Sequence, residues 1–234
     1  MPPSRERDPF ASGGMPVRQG PGRPEPEAGA APSAADPRTV APPGGWKFDP
    51  DGRVIVPGHQ PYLDARFVDA LHRCESADAG YRSVNASGAL GRYQLTRTGG
   101  LRSAGMADGL GRWTGKYGVH GAAEFLANPA AQELALEDYM RAMEGYNRAA
   151  GNDRFVGTAV AGKAGPFVVT EAGLAAAAHR VGQRCVRQLL DVLHANGWQH
   201  PNDLTAFDPN TRDRLLAAET RLRTFAAVPY RRAG

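Results

Sequence analysis

The 234 residues suffice for one sizeable domain with tails, and 41% hydrophobic content can fill one packed core. A formal net charge of +4 favours anionic partners without choosing among them. No run of five Lys or Arg residues occurs, and no apolar stretch approaches the ~20 residues of a membrane span. Neither nucleic-acid binding nor stable membrane insertion is therefore expected.

In chain order, 12 of the 19 prolines fall before residue 51, in a segment with almost no large apolar residues. Such a stretch cannot bury enough surface to offset its ordering entropy, so residues 1–45 are expected to be a disordered leader. The first residues, MPPSRERDPFASGG, lack the apolar centre of a Sec-type signal peptide. Residues 45–61 mix turn signals with a β-prone run from Arg53 to Val56, which predicts an ordered strap docked through Trp46 and Phe48.

Pro61 is expected to open a helix over 62–75. Phe67, Leu71 and Glu75 recur every four residues, and Val68, Leu71 and Cys74 every three, so they share one helical face. A carboxylate thus ends the stripe that points at the core. Such a charge is costly unless it is paired, with Arg73 or Arg92 as candidates, or performs chemistry. Gly80 stops the helix. Residues 81–95, with the turn signal Asn85-Ala86-Ser87-Gly88, predict an irregular hairpin or extended loop. A glycine-rich loop over 98–111 and a helix over 119–127 follow.

Asn128-Pro129 supplies a cap and first-turn proline for a helix reaching residue 150. Its Leu136, Met140 and Met143 stripe, flanked by Tyr139 and Tyr146, is expected to pack in the core. Residues 151–169 are expected to be loop. Thr170 caps a small-residue helix, EAGLAAAAHRVG, and a further helix or a continuation kinked at Gly182 runs to about residue 193, stopped by Asn196-Gly197. A last helix over 209–226 carries Leu215, Leu216 and Leu222, either packing on the domain or serving a partner. Cys74 and Cys185 are two thiols or one disulfide. No second His or carboxylate sits at ligand spacing from His179, so no metal or other cofactor is expected.

The run Cys74-Glu75-Ser76, followed by Gly80-Tyr81, Val84-Asn85, Ser87-Gly88-Ala89, Gly91 and Tyr93-Gln94-Leu95-Thr96, resembles the lysozyme-like lytic transglycosylases and their phage-tail relatives. FLANPAAQELALEDYM and GLAAAAHRVG extend the resemblance over roughly residues 62–195. The chain departs from the pattern at Ala77-Asp78-Ala79-Gly80, where many relatives have two glycines. It departs again at His179-Arg180-Val181-Gly182, where Tyr-Asn-Ala-Gly is frequent.

The resemblance implies a mainly α, lysozyme-like α+β fold, with a catalytic domain at 46–200 and a C-terminal helical extension at 201–234. It implies peptidoglycan glycan strands as substrate and Glu75 as the general acid. A carboxyl set against an apolar stripe would keep its proton to higher pH, as that role requires. Gln94 would hydrogen-bond sugar N-acetyl groups, Tyr93 would offer a ring face, and Ser76 would orient Glu75 or cap the helix end. His179 is either a structural residue or a cleft residue that contacts substrate or orients Glu75. A hydrolase of this kind needs a second carboxylate, and neither Asp78 nor Asp108 stands at a defensible position. A lytic transglycosylase instead uses the substrate's own 6-hydroxyl. The alternatives are a hydrolytic muramidase, or a non-catalytic wall-binding or assembly protein on the same fold. Acting on the wall without a Sec signal would require a phage-like particle or a specialised secretion machine, reached through the leader or the last helix.

Overall fold

The computed structural model describes residues 38, 40–42, 45–76, 80–195 and 204–232. Nearly all of the expected leader, the Asn196-Gly197 stop, Asp78 and the side chain of Ser76 lie outside the described residues. The fold is mainly helical with one small antiparallel sheet, in the order α1 (Ala65–Ser76), α2 (Ala122–Ala127), α3 (Pro129–Ala149), β1 (Ala159–Gly162), β2 (Gly165–Val168), α4 (Glu171–Val181), α5 (Gln183–Ala195) and α6 (Pro209–Thr224).

Local capping chemistry sets most helix starts. The Asn128 side chain accepts from the Ala131 amide, with Pro129 in the first turn. Thr170 Oγ1 accepts from the Gly173 amide at 3.1 Å, and Asp208 Oδ1 from the Thr211 amide at 3.1 Å. Each such bond satisfies an otherwise orphaned donor, worth about 1 kcal/mol. Helix α1 begins later than expected from Pro61. Asp64 receives the Phe67 and Val68 amides on its carbonyl and the Arg66 amide on its carboxylate, so the aspartate rather than the proline sets the start.

Helix α4 is the hub. Ala172 through Ala178 are all buried, because side chains this small let α3, α5 and α6 approach on different sides. At Gly173 a β-carbon would lie 2.9 Å from the Leu222 carbonyl oxygen, so α6 seats directly against the α4 backbone. Leu215, Ala218, Leu222 and Phe225 enter the same core as Phe67, Leu71 and Met140. The last helix, expected as an extension, is part of that core, and the described residues belong to one compact unit. Phe67 meets Phe225 and Tyr230 edge to face at centroid distances of 5.5 and 4.8 Å, fixing α1 to the chain after α6.

Residues 151–169 are not the loop expected. Asp153–Phe155 form a single 3-10 turn, and β1 and β2 pair with Val160 opposite Phe167, both buried. Strands of four residues are too short to display the alternation that betrays a strand in sequence. The chain breaks between α4 and α5 at Gly182, whose φ of 83° suits only glycine without strain. The 45–61 strap docks as expected. Arg53 is buried against Glu133 at 2.7 Å and Trp46 packs on a small satellite core, while Phe48 stays half in solvent.

Candidate active site

Glu75 stands in the last turn of α1, one turn beyond the fully buried Leu71 and two beyond Phe67. Its side chain is 9% exposed and enters a groove of about 660 Å³ between the 85–103 loop region, α3 and the end of α4. The carboxylate does not meet the apolar wall expected. The stripe ends at Leu71, and in the next turn Arg221 of α6 reaches across, its Nη2 donating to Glu75 Oε1 at 2.7 Å and to the Cys74 carbonyl at 3.0 Å. Arg180 Nη1 lies 3.9 Å from Oε2, and His179 Nε2 lies 4.0 Å from Oε1. The expected partners, Arg73 and Arg92, form no such contact: Arg92 is turned to the carbonyls of Asp51 and Gly52.

His179 is held from behind. Its Nδ1 lies 3.2 Å from the Tyr139 hydroxyl, and the two rings sit edge to face at 5.4 Å. Burial lowers the affinity of His179 for a second proton, the Glu75 charge opposes this, and the Arg221 and Arg180 charges reinforce it. Burial first, then the Glu75 charge, pushes the Tyr139 phenol well up, so its proton stays on oxygen. The Tyr139 hydroxyl and His179 Nδ1 share one hydrogen bond, its direction set by which nitrogen of the neutral imidazole carries the proton, and Nε2 is the nitrogen facing Glu75.

Gln94 lines the groove as expected. Its φ of 51° is left-handed, a conformation that non-glycine residues occupy at a cost of about 1 kcal/mol or more, and its Nε2 donates to the Gly91 carbonyl at 2.8 Å. Tyr93 does not line the groove. It is 1% exposed, and its hydroxyl donates to Glu133 Oε1 at 2.5 Å. The tight 91–94 turn sends consecutive side chains in different directions, Tyr93 into the core and Gln94 outward. The ring face comes instead from α3. Tyr139, Met143 and Tyr146, three to four residues apart, form one wall, with Tyr146 41% exposed. That spacing is visible in the sequence, where it resembles core packing.

Asn85, Ser87, Thr96, Thr98 and Ser103 add amides and hydroxyls to the lining, so the groove suits a polar, hydroxyl-rich ligand. Glu75 is the only carboxylate among the described lining residues. Asp108 lies apart in an exposed loop, bonded to Arg112 at 2.7 Å. Cys74 and Cys185 are both free thiols, Cys74 exposed and Cys185 buried, so no bridge ties α1 to α5. The described residues include no group of three or more His, Cys, Asp or Glu able to hold a metal ion, and no helix long and apolar enough to cross a membrane. Arg221 is the site residue that sequence reasoning missed. It lies 146 positions from Glu75 on a helix legible only through its leucines.

Protein-family models, curated proteins and solved structures yield no match to this chain.

Proposed function

We propose that this protein cleaves the β-1,4 bond between MurNAc and GlcNAc in peptidoglycan as a lytic transglycosylase, with Glu75 as the sole proton-transfer residue. The observation that carries the reading is a lone, 9%-exposed carboxylate facing a polar groove with no second acid among its described lining residues. Cleavage needs a proton on the leaving glycosidic oxygen as positive charge develops at the anomeric carbon. Glu75 gives that proton. The 6-hydroxyl of the same MurNAc unit then attacks C1, and Glu75 takes the hydroxyl proton back. The products are a 1,6-anhydro end and a free 4-hydroxyl, and no water is consumed. Gln94 and Ser87 offer hydrogen bonds to N-acetyl and hydroxyl groups, and Tyr146 offers a ring face to a sugar. A hydrolytic muramidase is the less economical version, because its water needs a second base.

One observation favours a non-catalytic, wall-binding reading. Arg221 occupies Glu75 Oε1 at 2.7 Å, as in a structural ion pair. Digestion of purified walls by the wild type and Glu75→Gln separates the two. Release of fragments with anhydro ends by the wild type alone is the expected result. Equal activity in both proteins would remove Glu75 from the chemistry. Reducing ends on the fragments would mark a hydrolase, and retention on walls without release would mark a binding protein.

A further inference from the structure

We propose that Arg221 is a positioning residue for Glu75, holding Oε1 so that Oε2 is the oxygen that exchanges protons with the glycan. Its catalytic meaning rests on the transglycosylase reading; the contact itself can be tested without it.

Two features distinguish this pair from an incidental surface ion pair. Arg221 is 12% exposed, and one of its terminal nitrogens bonds at once to the Glu75 carboxylate and to the carbonyl of Cys74. The guanidinium thus grips the last turn of α1 by its backbone and by its acid together. Its own base is immobile, since Leu222 and Ala218 are fully buried and α6 lies against the glycine-thin face of α4. A planar, buried donor on a fixed helix loses little further entropy in making these bonds.

The other groups facing Glu75 do less. Tyr139 of α3 reaches it only through His179. His179 Nε2 lies 4.0 Å away, beyond hydrogen-bond range, and burial favours the neutral ring. Arg180, also of α4, is 55% exposed and 3.9 Å from Oε2, so water screens most of its charge. Among the described residues, Arg221 alone lies within hydrogen-bond distance of the carboxylate. The two carboxylate oxygens are therefore unequal. Oε1 takes the Arg221 hydrogen bond, and among the described residues none bonds to Oε2, near which Arg180 is an exposed cation. A proton carried on Oε2 does not compete with the guanidinium for the same lone pair.

The test compares the wild type, Glu75→Gln, Arg221→Gln and Arg221→Lys as full-length chains, on solubilised glycan strands across a pH series. Arg221→Gln is expected to lower kcat on the order of ten- to a hundredfold with KM little changed, as for a misplaced catalytic group. Arg221→Lys, which keeps the charge and a donor, should restore part of kcat. A merely structural arginine would shift melting temperature and leave both kcat and KM unchanged. Wild-type kinetics in Arg221→Gln, alongside an inactive Glu75→Gln, would overturn the proposal and leave the enzyme reading intact. If Arg221→Gln fails to fold, Arg221→Lys decides: reduced kcat with KM little changed supports positioning, and wild-type kcat overturns it. If the wild type cleaves nothing, the enzyme reading fails. A thermal double-mutant cycle over Arg221→Gln and Glu75→Gln then decides the contact, coupling supporting it and additivity overturning it.

Discussion

Tyr93 donates its hydroxyl proton to Glu133 Oε1 at 2.5 Å, deep in the core beside the groove rather than within it. Tyr81 donates to the same oxygen at 2.5 Å, and Arg53 Nε donates to Oε2 at 2.7 Å. Burial and the Glu133 charge push both phenols well up, so both remain donors. One carboxylate on α3 thereby pins both the strap and the 81–95 loop. Glu133→Ala leaves the buried Arg53 charged and unpaired, which should cost about 3–5 kcal/mol. Urea denaturation measures it. A loss under about 1 kcal/mol would mean that packing rather than this network holds the strap.

Asp69 on α1 should make stability depend on pH. It is buried, and its Oδ1 has no hydrogen-bond partner. Burial first, then the charge of Asp51 and a hydrogen bond with it, raise its pKa from 3.8 to about 6, with Asp49 adding and Arg53 opposing. The folded value lies above the unfolded one, so the neutral acid favours the folded state. That contribution is complete below pH 3.8 and is lost as pH rises through about 6. Asp69→Asn should therefore be more stable than the wild type near pH ~8, with the advantage shrinking between pH ~6 and ~4. Parallel urea midpoints across this range would refute the assignment.

Gly91 cannot carry a side chain. Its φ is 72°, and a β-carbon would lie 2.0 Å from Gln132 Oε1. Gln132 is fully committed, accepting from the Arg92 amide and donating to the carbonyls of Tyr81 and Phe125. Gly91→Ala combines left-handed strain with overpacking, roughly 2–5 kcal/mol together. It should also loosen the loop bearing Gln94. Melting temperature and wall affinity should fall together.

Gln94 should separate stability from function. Gln94→Gly relieves the left-handed strain and loses chain entropy of similar size, so stability should stay within about 1 kcal/mol of wild type. Glycan affinity should fall several-fold, because the amide leaves the groove. Unchanged binding in isothermal titration with glycan oligomers would assign the strained conformation to the turn alone.

What was legible in the sequence was local. Asn128 and Thr170 act on amides three residues away, so the starts of α3 and α4 are readable from spacing alone. The β1–β2 pair offers only four residues a strand, too few to show a period. That Gln94 rather than Tyr93 lines the groove accompanies a left-handed dihedral at Gln94, which composition does not reveal. Glu75 was visible as an acid out of place. Its counter-charge was not, because an arginine beside a buried leucine looks like the polar flank of any amphipathic helix.

The distance along the chain between Glu75 and Arg221 has a consequence for biogenesis. The 146 residues separating them take about 7–30 s to synthesise at roughly 5–20 residues per second. By the end of that interval Glu75, Gln94, Tyr139 and His179 have all been made, and Arg221, which bonds to Glu75, comes last. The nascent chain therefore holds Glu75 without this counter-charge until α6 is made and seats on α4.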